Sequence, residues 1–419
     1  MGLMLRTRMI SVTLVAALAI LGFVVTHLNQ WLALRQLAIA QQALKDRDAD
    51  KAMSAAREAA RLNPREGEAY FTMARTFRRQ AKWNEFRDFL NEAAKLGVPI
   101  TRIRREQWLA LAQTGQMTEA VPHLPELLLN PLDDGPDICE AYANGFFLMH
   151  RLGEAFSVLD AWEKDYPHDA QPHFFRAAFS NTTESWSATA KHLRKAIELA
   201  PNRFDLRIEL AKTLLILQES DEAAKLFGQL LQIQPDHPEV LAGWAQILFE
   251  RGQHEQARST LVQVLRINPQ HVVALRLLGE IHSLTGQPTE AIKFLQQAIE
   301  IKSNDRQARY ALGMALKKAG RDAEARQHFQ FVAKSTEVNS HVGQLVEKVR
   351  RSNGDVESRF EIAKLLREIG EQREQLAWLR SVVDLDPNHK AAHAELASYY
   401  AAQGDWEAFR KHNQLAEPQ

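Results

Sequence analysis

The chain has 419 residues, of which 45% are hydrophobic and 25% charged, a composition typical of a folded protein. Lys and Arg total 52, as do Asp and Glu, so the formal net charge is zero. This balance argues against nucleic-acid binding, which usually requires a basic excess. Cys139 is the single cysteine, which excludes an internal disulfide or a thiolate metal cluster; we expect it to fill a small space in the core.

The N-terminal part of the chain is strongly apolar. After a short tail over residues 1–8 with Arg6 and Arg8, residues 9–25 carry no charge, and the apolar run extends to residue 28 if two polar positions are admitted. Bulky residues follow the run where a signal peptidase would need small ones. We therefore predict an uncleaved transmembrane signal-anchor helix over 9–28, with a removed signal peptide and a buried soluble helix as the alternatives. The positive-inside rule predicts a single-pass membrane protein with a cytoplasmic N-terminus and extracytoplasmic repeats.

Residues 31–169 carry the landmarks of helical hairpins in an irregular form. One segment ends in Leu-Asn-Pro at Pro64, and Gly115 and Gly153 fall near expected turn positions. We predict that this stretch consists of divergent units of the same kind as those that follow.

The chain then repeats itself every 34 residues over 170–339. Each block contains two amphipathic helical segments, and the positions that recur at this interval are the prolines Pro167, Pro201, Pro235 and Pro269, the small residues Ala177, Ala211, Ala245, Gly279 and Gly313, and the turn glycines Gly252, Gly286 and Gly320. Fixed self-similarity at this period is the signature of stacked helical hairpins. Small residues allow the two helices of a hairpin to approach closely, and a glycine accepts the left-handed backbone of a helix end.

This pattern resembles the tetratricopeptide-repeat (TPR) family. The resemblance implies an all-α fold, a right-handed superhelical solenoid of stacked helix–turn–helix hairpins, which here would be preceded by one N-terminal transmembrane helix. Five consecutive units match over 170–339. We interpret residues 340–355, with apolar residues at helical spacing, as a helical insertion, and residues 356–417 as C-terminal TPR units.

The resemblance also indicates where a partner would bind. In this family the first helix of each hairpin lines a concave face, and exposed positions there contact peptides or partner helices. Mapped by register, the candidate partner-binding residues are Phe71, Arg75, Arg78, Arg79, Phe174, Lys212, Gln246, Arg276, Tyr310, Lys317, Phe360, Lys364 and Arg367. Aromatic rings beside cations would suit an extended peptide.

We predict neither catalysis nor a metal or cofactor. His237, His271 and His389 share one repeat position, but each belongs to a separate loop, and successive loops lie about 10 Å apart, too far to share one ion. The sequence contains no phosphate-binding glycine loop and no nucleophile turn.

The sequence therefore predicts a bacterial-type membrane-anchored scaffold or adaptor. It would bind a protein or peptide partner through the concave face of its superhelix, contact the membrane through its N-terminal helix and bind no nucleic acid; its oligomeric state is left open. Two alternatives remain: an assembly or regulatory factor for envelope biogenesis, secretion or respiratory complexes, and the targeting arm of an enzyme.

Overall fold

The computed structural model describes residues 2–132, 134–182 and 185–416, and their side chains from residue 24 onward except at 181 and 182. Every regular element in these residues is helical, with no strand. The chain divides into two compact units, one formed by residues up to 113 together with 119–129, the other by 114–118 and the residues from 130 onward. The all-α prediction is confirmed for the described part of the chain.

The first unit is built from antiparallel helices joined by short turns. Its helices are α1 (Gly2–Lys45), α2 (Ala49–Leu62), α3 (Gly67–Arg79), α4 (Trp83–Lys95), α5 (Ile100–Gln113) and α7 (Leu124–Leu129), and a 3-10 turn (Val121–His123) precedes α7. The short helix α6 (Met117–Ala120) has residues in both units. Phe77 and Phe86 lie in its core together with small residues such as Ala56 and Ala74, which bring the helices close together.

The second unit continues the same arrangement over many more hairpins. Its helices are α8 (Gly135–Leu148), α9 (Leu152–Asp165), α10 (Gln171–Thr182), α11 (Trp186–Leu199), α12 (Phe204–Ile216), α13 (Ser220–Ile233), α14 (Pro238–Glu250), α15 (His254–Ile267), α16 (Val272–Leu284), α17 (Pro288–Ile301), α18 (Arg306–Lys318), α19 (Asp322–Arg351), α20 (Val356–Glu368), α21 (Gln372–Leu385), α22 (Lys390–Gln403) and α23 (Trp406–Ala416). Each helix from α10 onward packs against the next, and the first helices of successive hairpins also touch.

The turns explain the glycine period of the sequence. Gly252, Gly286 and Gly320 have φ angles of 74°, 77° and 75°, in the left-handed region that glycine adopts at low cost. Gln218 occupies the same repeat position with a φ of 62°, so one hairpin makes this turn with a residue that has a Cβ atom. The predicted helix ends at these glycines are confirmed.

Close packing between neighbouring hairpins explains the small residues. Ala211, Ala223 and Ala245 are completely buried, and Phe227 of α13 fills the space that they leave. A Cβ atom added to Gly279 would lie 2.4 Å from Cγ of Leu295, closer than such atoms can approach. These positions are small because the helix axes would otherwise have to move apart.

The long helix α19 joins two sets of hairpins. It has 30 residues, about twice the length of its neighbours. Ala325 in its first half packs with α17 and α18, whereas Val338 and Val349 in its second half belong to a core formed with α20, α21 and α22. One continuous helix therefore serves two consecutive hydrophobic cores.

The predicted membrane anchor needs correction. Most of the run 9–28 lies outside the residues whose side chains are described. The described part of α1 continues to Lys45 as an ordinary repeat helix, with Ala33, Leu37 and Ala40 buried in the first unit. In the part of the chain that the structure describes, no helix is both long and apolar enough to cross a bilayer. The prediction of a single-pass membrane protein with extracytoplasmic repeats is therefore not retained.

Candidate functional site

A pocket of about 930 Å³ opens on the second unit. The first helices of three successive hairpins contribute to it, with Phe249 on α14, Leu284 on α16, and Tyr310 and Met314 on α18. The sequence predicts partner binding on first helices, and the role of this pocket in binding stays a prediction.

The centre of the pocket is apolar and open to solvent. Leu284 is 57% exposed, Tyr310 53% and Met314 38%. Tyr310 rests against Phe329 of α19, with 5.7 Å between the ring centroids, so its position is fixed although its outer face is free. Clustered exposed apolar side chains of this size are characteristic of binding sites.

Charged side chains of both signs surround this centre. Nη1 of Arg276 lies 2.6 Å from Oε1 of Glu280, and Nζ of Lys318 donates to the carbonyl oxygen of Ser283 at 2.9 Å. Nη2 of Arg306 donates to Oγ1 of Thr336, also at 2.9 Å. The cations are thus held in place by partners within the protein, and the rim is preorganised.

One wall of the pocket comes from a distant part of the sequence. Glu371, in the turn between α20 and α21, reaches the lining near Lys302 and Asn304. Burial, followed by the nearby Glu374 carboxylate, raises the pKa of Glu371. This carboxyl group is therefore easier to protonate than an exposed glutamate.

Two of the predicted partner-binding residues, Arg276 and Tyr310, are brought together in this pocket. Lys317 is exposed on the same helix as Tyr310 but does not line the pocket. The contribution of these residues to binding stays a prediction.

The other predicted residues of the second unit mainly contact their own neighbours. Phe174 packs on the core of α10–α14, with the Arg203 guanidinium 6.0 Å from its ring. Nζ of Lys212 lies 2.9 Å from Oε1 of Glu209, and Gln246 donates to Glu250 at 3.1 Å.

The predicted residues of α20 behave similarly. The half-buried ring of Phe360 lies 4.8 Å from that of His389, and Nζ of Lys364 lies 5.5 Å from the Phe360 centroid. Arg367 forms an ion pair with Glu395 of α22. None of these three side chains lines the pocket.

The candidate partner-binding residues of the first unit hold its helices together. Phe71 is only 4% exposed and Arg78 only 1%, so neither offers surface to a partner. Nε of Arg78 lies 2.7 Å from Oε2 of the buried Glu106, and Nε of Arg75 lies 3.0 Å from Oε1 of the same carboxylate. Arg79 donates to the carbonyl oxygen of Leu44. These side chains tie α3 to α5 and α1.

The register argument missed several lining residues. Phe249 and Leu284 lie in the last turns of first helices; Leu284 is exposed, and its apolar character at such a position was a usable signal, whereas Phe249 is partly buried. Lys302 lies in a connection between hairpins, and Glu371 is displaced from the 34-residue register by the long helix α19. No sequence period could assign Glu371 to this pocket.

Two observations concern groups that often take part in chemistry. No group of three or more His, Cys, Asp or Glu side chains among them could hold a metal ion. Burial raises the pKa of the Cys139 thiol to about 12, which suppresses the reactive thiolate form.

Two stretches of the chain match a known protein family. Residues 214–281 and 283–349 match the model described as tetratricopeptide repeat, a range that includes α14 to α18 of the pocket. These two stretches are tetratricopeptide repeats. TPR proteins generally act as scaffolds that bind protein or peptide partners, and their fold is typically not catalytic. No curated protein is similar enough to this chain to count as a relative.

Several solved structures share limited similarity with this chain. MamA from Desulfovibrio magneticus RS-1 is 19% identical, with 39% of this chain and 93% of that one covered and a TM-score of 0.31. A human IFIT1 dimer with PPP-AAAA is 16% identical, with 76% and 90% covered and a TM-score of 0.40. YrrB, described as a TPR protein with an unusual peptide-binding site, is 20% identical, with 49% and 98% covered and a TM-score of 0.27.

Proposed function

We propose that this protein is a TPR scaffold that binds a segment of a partner protein in the pocket between α14, α16 and α18. The observation that carries the proposal is the solvent-exposed apolar centre formed by Leu284, Tyr310 and Met314. Burying these surfaces under a partner would supply favourable free energy at about 25 cal/mol per Å².

The rim indicates the chemistry of the segment. Four cations, Arg276, Lys302, Arg306 and Lys318, and three acids, Glu280, Asp305 and Glu371, line the pocket, so it has little net charge. An apolar or aromatic anchor residue, flanked by polar residues of both signs, fits this distribution better than a strongly acidic or basic tail. Binding should therefore depend only weakly on salt concentration.

Peptide selection tests the proposal. A random peptide library would be selected against the purified full-length protein, and the affinity of a recovered peptide measured by fluorescence anisotropy. Tyr310→Ala removes the largest exposed anchor of the pocket and should weaken binding by about thirtyfold, which corresponds to the roughly 2 kcal/mol of an interface hot spot.

Lys293→Ala is the matched control. Lys293 is exposed on α17, a second helix of its hairpin, and its ammonium group contacts only Glu290 in the same turn at 2.7 Å. Equal loss of affinity in both variants, or no loss in either, would exclude the pocket as the binding site.

A further inference from the structure

Two parts of the second unit that are far apart in the sequence are held together by Arg359. Nη1 of Arg359 donates to the carbonyl oxygen of Met149 at 3.2 Å, and Nη2 donates to that of His150 at 3.1 Å. Met149 is the C-cap of α8. At this end of a helix the last carbonyl groups have no hydrogen-bond donors in their own helix, and the helix dipole carries a partial negative charge. A guanidinium group from the first turn of α20 thus caps a helix about 210 residues earlier in the chain.

Further contacts surround this cap. The rings of His150 and Trp378 stack with centroids 3.5 Å apart and an angle of 5° between their planes. Nδ2 of Asn353 donates to Oε2 of Glu154 at 2.7 Å, and Nη1 of Arg151 lies 3.7 Å from Oδ2 of Asp384. We call this set of contacts the latch; its residues are Met149, His150, Arg151 and Glu154 on one side and Asn353, Arg359, Trp378 and Asp384 on the other.

The latch joins the first hairpin of the second unit to hairpins near its C-terminal end. The helices from α10 to α18, and with them the helices that line the pocket, all lie in the chain between its two sides. Neighbouring hairpins in this row are joined by continuous apolar cores. The two sides of the latch are joined instead mainly by polar groups and one pair of stacked rings, so the latch is the place where this closed arrangement opens most easily.

Two buried polar atoms without partners weaken the latch. Nε2 of His150 and Nε of Arg359 are buried, yet neither makes a hydrogen bond within the described residues. Buried polar atoms without partners oppose the state that buries them, because water would bind them if the site opened.

We propose that the latch is a conformational switch, and that its opening widens the pocket on α14, α16 and α18 for a partner segment, because the pocket wall at Glu371 lies in the chain between Arg359 and Trp378 of the latch. The part of this proposal that concerns the pocket rests on the function proposed above. A ligand that binds the open form better shifts the population toward it, and the cost of opening lowers the apparent affinity by the fraction of open molecules.

A distance measurement tests the latch without any ligand. Gly153 and Gly354 are exposed beside the two sides of the latch, and a Cβ atom at either position meets nothing within 4 Å. Spin labels on Gly153→Cys and Gly354→Cys, in the full-length chain with Cys139→Ala, would be measured by double electron–electron resonance. A single short and narrow distance distribution is expected for the parent protein.

Arg359→Ala should add a longer and broader component that contains most of the molecules. Asn353→Ala, which removes one polar contact near the edge of the latch, should produce a smaller component of the same kind and decides the matter if Arg359→Ala fails to fold by circular dichroism. Arg350→Ala is the control, because its side chain is exposed and bonds only to Glu347 one turn away. Unchanged distances in every folded latch variant would overturn the proposal.

Binding then tests whether the latch controls access. The selected peptide, measured with folded latch variants, should bind at least fivefold more tightly than to the parent protein, and Arg350→Ala should leave its affinity unchanged. Longer distances with unchanged or weaker affinity would overturn the switch while leaving the proposed function standing. A Tyr310→Ala variant that binds the peptide normally would instead contradict the proposed function, whatever the distances are.

Discussion

The close packing of neighbouring hairpins can be tested with two glycines in adjacent helices. A Cβ atom on Gly243 of α14 would lie 2.2 Å from Cζ of Phe227, whose ring is completely buried, whereas a Cβ atom on Gly228 of α13 meets nothing within 4 Å. Both glycines are helical, so substitution by alanine brings each helix the same backbone gain of about 0.5–1 kcal/mol. The difference between the two variants therefore isolates packing.

Forcing an additional carbon against a buried ring costs about 1–3 kcal/mol. Gly243→Ala should thus lower the free energy of unfolding by up to roughly 2.5 kcal/mol after the backbone gain is subtracted, and Gly228→Ala should raise it by roughly 0.5–1 kcal/mol. Urea denaturation followed by circular dichroism would measure both. If Gly243→Ala were as stabilising as Gly228→Ala, the ring of Phe227 could not lie against α14 as the structure has it, and the packing argument would be refuted.

Three further predictions concern stability. Glu106→Gln should cost about 3–5 kcal/mol in urea denaturation, because it leaves two mostly buried guanidinium groups without their carboxylate; a loss below about 1 kcal/mol would contradict the buried network. Gln218→Gly should raise the thermal midpoint by relieving about 1 kcal/mol of left-handed strain, and a lower midpoint would show that this turn is not strained. Burial, and then the Arg359 charge, lowers the pKa of His150 to about 3; the unfolded chain therefore binds a proton below pH 6.5 that the folded chain does not, and stability should fall with acid by about 2 kcal/mol at pH 5 from this group alone. His150→Phe should make the pH dependence of urea denaturation between pH 6 and 4 shallower by one proton, and an unchanged slope would show that His150 is not buried in its neutral form.

The repeat period predicted the hairpins and their turns because each follows from residues close in sequence. Glycine at 252, 286 and 320 marks a left-handed turn whatever the distant chain does. Small residues at 211 and 245 mark the close approach of helices because any larger side chain would separate them. The same register brought Arg276 and Tyr310 to one surface.

The 34-residue register did not predict how deeply a side chain is buried, nor which residues distant in the sequence are in contact. It assigns a side chain to a face of a helix but does not say whether a neighbouring helix covers that face, and Phe71 and Arg78 are covered. The position of Glu371 in the pocket depends on the length of α19, which shifts the later hairpins out of the 34-residue register. The latch joins residues that are about 210 positions apart, so no local pattern predicts it. The membrane-anchor prediction from the apolar N-terminal run was wrong, because apolar composition alone does not distinguish a membrane-spanning helix from a helix that continues into a packed repeat.

The most direct test of partner binding by the pocket is hydrogen–deuterium exchange on the full-length protein with and without the selected peptide. The structure predicts that the peptide slows amide exchange in α16, in α18 and at the C-terminal end of α14, where Phe249, Arg276 and Tyr310 lie. Slower exchange confined to the first unit or to α22 and α23, with no change in α16 and α18, would contradict the proposed site.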